Sequence, residues 1–152
     1  MHRSRIAVIP IAAAVALALV TSASAQSNPR FGRWKLKQDA PPPASNIMTY
    51  ESIPGGGMKT TVASVNREGV KGGWTYSSML DGKDVPIVGH ATANGASVTV
   101  VDARTNEIVY KKDGKPTQYL TNVLSEDGKT LTVTFKNPEG KVTNTAVYEK
   151  LP

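Results

Sequence analysis

The chain is 152 residues long, with 18 basic against 12 acidic residues, two histidines and no cysteine. The missing thiols exclude disulfides, cysteine metal centres and thiolate catalysis. The net charge of +6 is scattered over turns and strand ends, with no basic run of the kind that marks a nucleic-acid surface, so no nucleic-acid partner is expected.

Met1-His2-Arg3-Ser4-Arg5 opens the chain, followed by an apolar run from Ile6 to Val20 and then by Thr21-Ser22-Ala23-Ser24-Ala25. A basic start, an apolar middle and a small-residue A-x-A end have the layout of a secretory signal peptide. The apolar run is shorter than the roughly 20 residues that span a bilayer, and Pro10 interrupts it. Residues 1–25 are therefore expected to be removed after Ala25, which sends the mature protein to the periplasm or the exterior with no transmembrane span. Loss of Arg3 and Arg5 leaves 16 basic against 12 acidic residues in a mature chain of 127 residues. Residues 26–30 read as a flexible polar leader. Residues 31–152 read as a single domain, long enough to bury a core without covalent staples.

Phe31 to Leu36 reads as the first strand, with Trp34 and Leu36 on one face by period-two spacing. Pro41-Pro42-Pro43 ends it with a stiff, extended linker, because proline fixes φ and donates no hydrogen bond. Further strands are predicted over Asn46–Ile53, Met58–Asn66, Gly73–Leu80 and Val85–Val88, the last a short edge piece because it contains Pro86. Ala96–Asp102, Glu107–Lys112, Thr117–Leu124, Thr130–Lys136 and Val142–Lys150 complete the set. Asn94-Gly95, Asp113-Gly114 and Asp127-Gly128 lie between them and suit tight turns, where Gly and Asn tolerate positive φ. Alternation is clearest at Leu131, Val133 and Phe135, which share one face while threonines fill the other. Helical periodicity is nearly absent from the mature chain. The pattern is all-β, with about eight to ten short strands in an antiparallel barrel or sandwich.

Both ends of the mature chain resemble the calycins, the superfamily of lipocalins and fatty-acid-binding proteins. Gly32-Arg33-Trp34 resembles their G-x-W first strand, and Val147-Tyr148-Glu149-Lys150 is similar to the V-Y-E-K on which fatty-acid-binding proteins often close. The resemblance implies a calycin-like, up-and-down antiparallel β-barrel or half-barrel that holds a small apolar or amphiphilic ligand. Two departures stand out. Those proteins commonly place an arginine two residues before the tyrosine, and the pair holds a ligand carboxylate; here Ala146 occupies that position. They also insert two short helices after the first strand, where this chain has the proline-rich segment Asp39 to Ala44. The middle of the chain, Trp74-Thr75-Tyr76 and Asp81 to Gly89, resembles a group of exported bacterial proteins of uncharacterised function, which supports the compartment and adds no chemistry.

A catalytic constellation is not found. His90 is the only histidine after the leader, lies next to Gly89 and has no metal-ligand or triad spacing around it, so it reads as a loop histidine. Ser77, Ser78 and Ser97 lack a nucleophile motif. Asp81, Asp84, Asp113, Glu126, Asp127 and Glu139 fall in turns, where carboxylates shape hairpins, and none has the ligand count of a calcium loop. The expectation is a non-enzymatic protein without metal or cofactor.

The aromatics are the candidate ligand-binding residues. Trp74 and Tyr76 lie two apart on one strand, Tyr148 lies on the last strand, and Tyr110 and Tyr119 occupy neighbouring strands. In a closed sheet such side chains can line an interior and offer hydroxyls to a ligand. They suit ordinary core packing as well, and both readings stay open. The functional expectation is binding of a small, partly apolar ligand inside an envelope barrel. The alternative is an envelope interaction module that uses a sheet edge or face to hold protein or glycan.

Overall fold

A computed structural model describes residues 28–38 and 40–152. The expected signal peptide, 1–25, and the start of the leader lie outside the described residues, as does Asp39. Ten strands follow one another: β1 (Gly32–Leu36), β2 (Ser45–Ile53), β3 (Gly57–Val65), β4 (Lys71–Ser78), β5 (Val85–Pro86), β6 (Gly95–Val100), β7 (Thr105–Lys112), β8 (Lys115–Leu124), β9 (Thr130–Lys136) and β10 (Val142–Lys150). Every pairing is antiparallel, in the sheet order β4-β3-β2-β1-β10-β9-β8-β7-β6-β5. Apart from the junction of β1 with β10, each strand lies beside its neighbours in sequence, which is an up-and-down meander.

The sheet curls until its two edges meet. Thr75 on β4 and Val88, just past β5, exchange two backbone bonds of 2.9 and 3.0 Å, and Gly82 N–H donates to the Val98 carbonyl at 2.9 Å. This seam is far sparser than the continuous ladders elsewhere, so the barrel is nearly closed. A close backbone approach makes the seam possible. A Cβ on Gly89 would stand 2.5 Å from the Gly73 carbonyl oxygen, and a Cβ on Gly73 would be driven into the Val62 carbonyl. Both residues also have positive φ, +86° and +153°, where L side chains are strained.

Period-two alternation decides what faces inward. Met58, Val98, Leu124 and Leu131 are no more than 2% exposed and fill the end of the barrel where β2 turns into β3 and β8 into β9. Trp34 belongs to the same core. Its indole N–H donates to the Arg30 carbonyl at 2.8 Å, and Lys150 Nζ lies 5.1 Å from the ring centroid. The segment in front of β1 is therefore tied down. Arg30, placed by sequence in a polar leader, is 2% exposed. Its guanidinium donates to the carbonyls of Ala103 at 3.4 Å, Asn122 at 3.2 Å and Arg104. It plugs this end of the barrel, and burial lowers its pKa against the opposing pull of Tyr50 and Asp102.

The proline run differs from the expected extended linker. Ala44 N–H donates to the Pro41 carbonyl at 3.2 Å, closing a turn around a cis Pro42-Pro43 peptide. Proline presets φ for turns as readily as for extended backbone, and here the chain must reverse between antiparallel β1 and β2. Among the described residues no helix is long and apolar enough to cross a membrane.

Candidate functional site

The half of the barrel not filled by core side chains holds a partly open cavity of about 150 Å³. Its walls come from seven strands and one loop. Met48 and Tyr50 reach it from β2, Thr60 and Val62 from β3, and Trp74 and Tyr76 from β4. Opposite them stand Ile108 and Tyr110 from β7, and Leu120 and Asn122 from β8. Val133 of β9 and Tyr148 of β10 close the circle.

Four of the five aromatics singled out from sequence meet here. Trp74 and Tyr76 are stacked, with ring centroids 5.8 Å apart and planes 8° apart, and Trp74 meets Tyr110 edge-on at 5.6 Å. Tyr148 lines the same space, its hydroxyl 3.5 Å from Asn46 Oδ1. Tyr119 does not join them. It is 38% exposed on the outer face, paired with Val109 and Lys136. The reason is phase: Leu120, Asn122 and Leu124 are the buried residues of β8, so the position between them and Gln118 must point out.

His90 is more than a loop histidine. It follows the seam residue Val88 by two positions, is half-buried and forms part of the cavity wall. Its ring lies 4.8 Å from Tyr110 and 5.7 Å from Trp74. Nδ1 accepts the Thr92 backbone N–H at 3.2 Å. Burial holds its pKa below the ordinary histidine value, which favours the neutral ring.

Tyr50, Thr60 and Asn122 carry no motif and are not distinguishable in the sequence from core residues. The only signal is polar residues in inward phase, as in Gln118-Tyr119-Leu120-Thr121-Asn122. Asn122 Nδ2 donates to the Tyr50 hydroxyl at 2.8 Å. Asn122 Oδ1 is buried without a hydrogen-bond partner among the described residues, although Asn122 is only 3% exposed, while the Thr60 hydroxyl lies against the Tyr76 phenol.

The electrostatics are simple. Among the described residues no Asp, Glu, Lys or Arg lines the cavity. Burial pushes the phenol of Tyr76 up to about 12 and raises those of Tyr50, Tyr110 and Tyr148 as well, so all four remain protonated at neutral pH. Every lining group is thus uncharged near pH 7, and an unpaired formal charge brought in would cost several kcal/mol. Among the described residues no three His, Asp or Glu side chains cluster as a metal site would need.

No family model matches this chain, and no curated protein matches it. Solved structures do. The wild-type fluorescent protein UnaG superposes with a TM-score of 0.54 at 14% identity, covering 80% of this chain and 96% of that one. An asparagine-to-alanine mutant of UnaG gives 0.56 at 14% identity, covering 82% and 97%. The fold is an up-and-down antiparallel β-barrel shared with these structures. At this identity the likeness speaks to the fold alone.

Proposed function

We propose that the protein is a non-catalytic binder of a small, partly apolar ligand, held inside the barrel. The observation that carries this reading is the cavity itself: a space of about 150 Å³ in the barrel interior, walled by Trp74, Tyr76, Tyr110, Tyr148 and aliphatic side chains. Binding pockets combine an apolar lining with a few fixed polar groups, and here the polar groups are phenols, a threonine and an amide. Burial of the ligand's apolar surface supplies the affinity, and these hydroxyl and amide groups fix its orientation. The coarse likeness to another calycin-like barrel adds support for a ligand-holding role.

The signal-peptide layout of residues 1–25 supports an envelope location. Mass measurement of protein recovered from a bacterial periplasm is expected to show loss of the segment ending at Ala25.

Titration of the delipidated mature protein with the neutral two-ring fluorophore naphthalene tests the binding reading. One saturable site is expected, accompanied by quenching of Trp74. Absence of saturable uptake of this and other neutral apolar probes overturns it.

A further inference from the structure

The cavity limits what can occupy it, and three features define a ligand class. The first is size. Cavities near 150 Å³ accept a benzene-sized guest, so the space found here suits one or two fused rings rather than an extended acyl chain. The second is charge. The lining has no carboxylate, ammonium or guanidinium to pair with an ion. The nearest buried cation, Arg30, is not part of the lining, and its Nη1 and Nη2 donate to the carbonyls of Ala103, Arg104 and Asn122. The third is an unmade hydrogen bond. Asn122 spends its amide N–H₂ on the Tyr50 hydroxyl, which leaves Oδ1 as an acceptor with no donor. Buried polar atoms are normally paired, and this one belongs to a residue of the cavity wall.

We propose that the ligand is an uncharged, planar ring molecule of one or two fused rings carrying an N–H or O–H donor, which packs beside Trp74 and Tyr110 and donates to Asn122 Oδ1. This rests on the binding reading above and names its ligand class. The class differs from a carboxylate. Ala146 offers no ion pair beside Tyr148, and the wall shows no other group that replaces one.

Three probes of similar size separate the possibilities, measured by calorimetry at pH 7.5 on the mature protein: indole, benzofuran and benzoate. Benzofuran keeps the shape of indole and replaces its N–H by an acceptor oxygen. Benzoate keeps the size and adds a negative charge. Indole is expected to bind saturably at one site, benzofuran about five- to tenfold more weakly for want of one hydrogen bond, and benzoate not at all. In Asn122→Leu the preference for indole over benzofuran is expected to vanish. Should that variant fail to fold, the wild-type ratio still decides. Equal affinity for indole and benzofuran overturns the donor assignment, and tighter binding of benzoate overturns the uncharged class. Uptake of naphthalene with no binding of any of the three overturns this inference and leaves the binding reading standing. Failure of all four overturns both.

Discussion

Lys150 Nζ stands 5.1 Å above the ring of Trp34 and donates to the Pro29 carbonyl at 2.7 Å, while the indole N–H of that ring donates to the Arg30 carbonyl. One lysine on the last strand and one tryptophan on the first thus hold the segment that plugs the barrel with Arg30. Lys150→Met keeps most of the aliphatic stem and removes the cation and the hydrogen bond. It is expected to lower unfolding free energy by about 1–2 kcal/mol, the sum of an exposed cation–π contact and one hydrogen bond. Trp34→Phe empties part of a fully buried site and orphans the Arg30 carbonyl, with an expected loss of about 2–4 kcal/mol. Urea denaturation of both variants checks the order. An unchanged midpoint for Trp34→Phe contradicts the plug.

The seam makes a sharper demand on one glycine. Gly89→Ala puts a Cβ against the Gly73 carbonyl at 2.5 Å in a backbone of positive φ. Since the obstacle is backbone, relief means parting β4 from the segment after β5. A loss of about 2–4 kcal/mol is expected, more than positive φ alone explains. Gly114→Ala is the control: it also has positive φ, +78°, but nothing lies within 4 Å of the new Cβ, so about 1 kcal/mol is expected. Equal effects of the two substitutions, measured by thermal denaturation, contradict a close seam.

The strands were legible because their spacing and turns are local. Leu131, Val133 and Phe135 announce β9, and Asp113-Gly114 announces the β7–β8 turn, where Asp113 adopts φ +49° and Gly114 +78°. Barrel closure is not local. Nothing in Gly73 or Gly89 taken alone says that the two backbones touch. The site was half legible for the same reason. Trp74 and Tyr76 show their shared face by spacing, but the phase of β8 was misread at Tyr119, since both Tyr119 and Leu120 are plausible inward residues until neighbouring strands fix the register. Tyr50, Thr60 and Asn122 acquire meaning only when β2, β3 and β8 come together. His90 has no motif partner because its partners are the rings of Trp74 and Tyr110, brought from other strands.

The buried phenols set the alkaline limit of the fold. Burial raises the pKa of Tyr50, Tyr76, Tyr110 and Tyr148, with Tyr76 at about 12. Each group has a folded pKa above its unfolded value near 10. Below pH 10 both states keep the proton and stability is undiminished. As pH rises past 10 the unfolded chain releases protons that the native barrel retains, so stability falls. Absorbance at 295 nm is expected to show these four phenolates appearing together with loss of β-sheet circular dichroism, not before it. Their ionisation near pH 10 in a protein that stays folded contradicts the inward placement.

The seam can also be closed covalently, because the chain has no cysteine to interfere. Thr75 and Val88 are direct partners across it, joined by two backbone bonds, and Val88 is 66% exposed, so both side chains stand on the outer surface. Directly opposed positions in an antiparallel bridge bring the Cα atoms to about 5.5 Å, within the range a disulfide spans. Thr75→Cys with Val88→Cys closes a loop of a dozen or so residues, for which the chain-entropy estimate is roughly 3 kcal/mol. Loss of the Thr75 hydroxyl, whose Oγ1 donates to the Thr60 carbonyl at 2.9 Å, is common to both redox forms and cancels between them. The oxidised double variant is expected to exceed its own reduced form by roughly 3 kcal/mol in urea, a comparison that holds the sequence fixed. Spontaneous oxidation with this gain shows that β4 and the chain after β5 face each other as described. Failure of the two thiols to join under oxidising conditions in the folded protein shows that they do not.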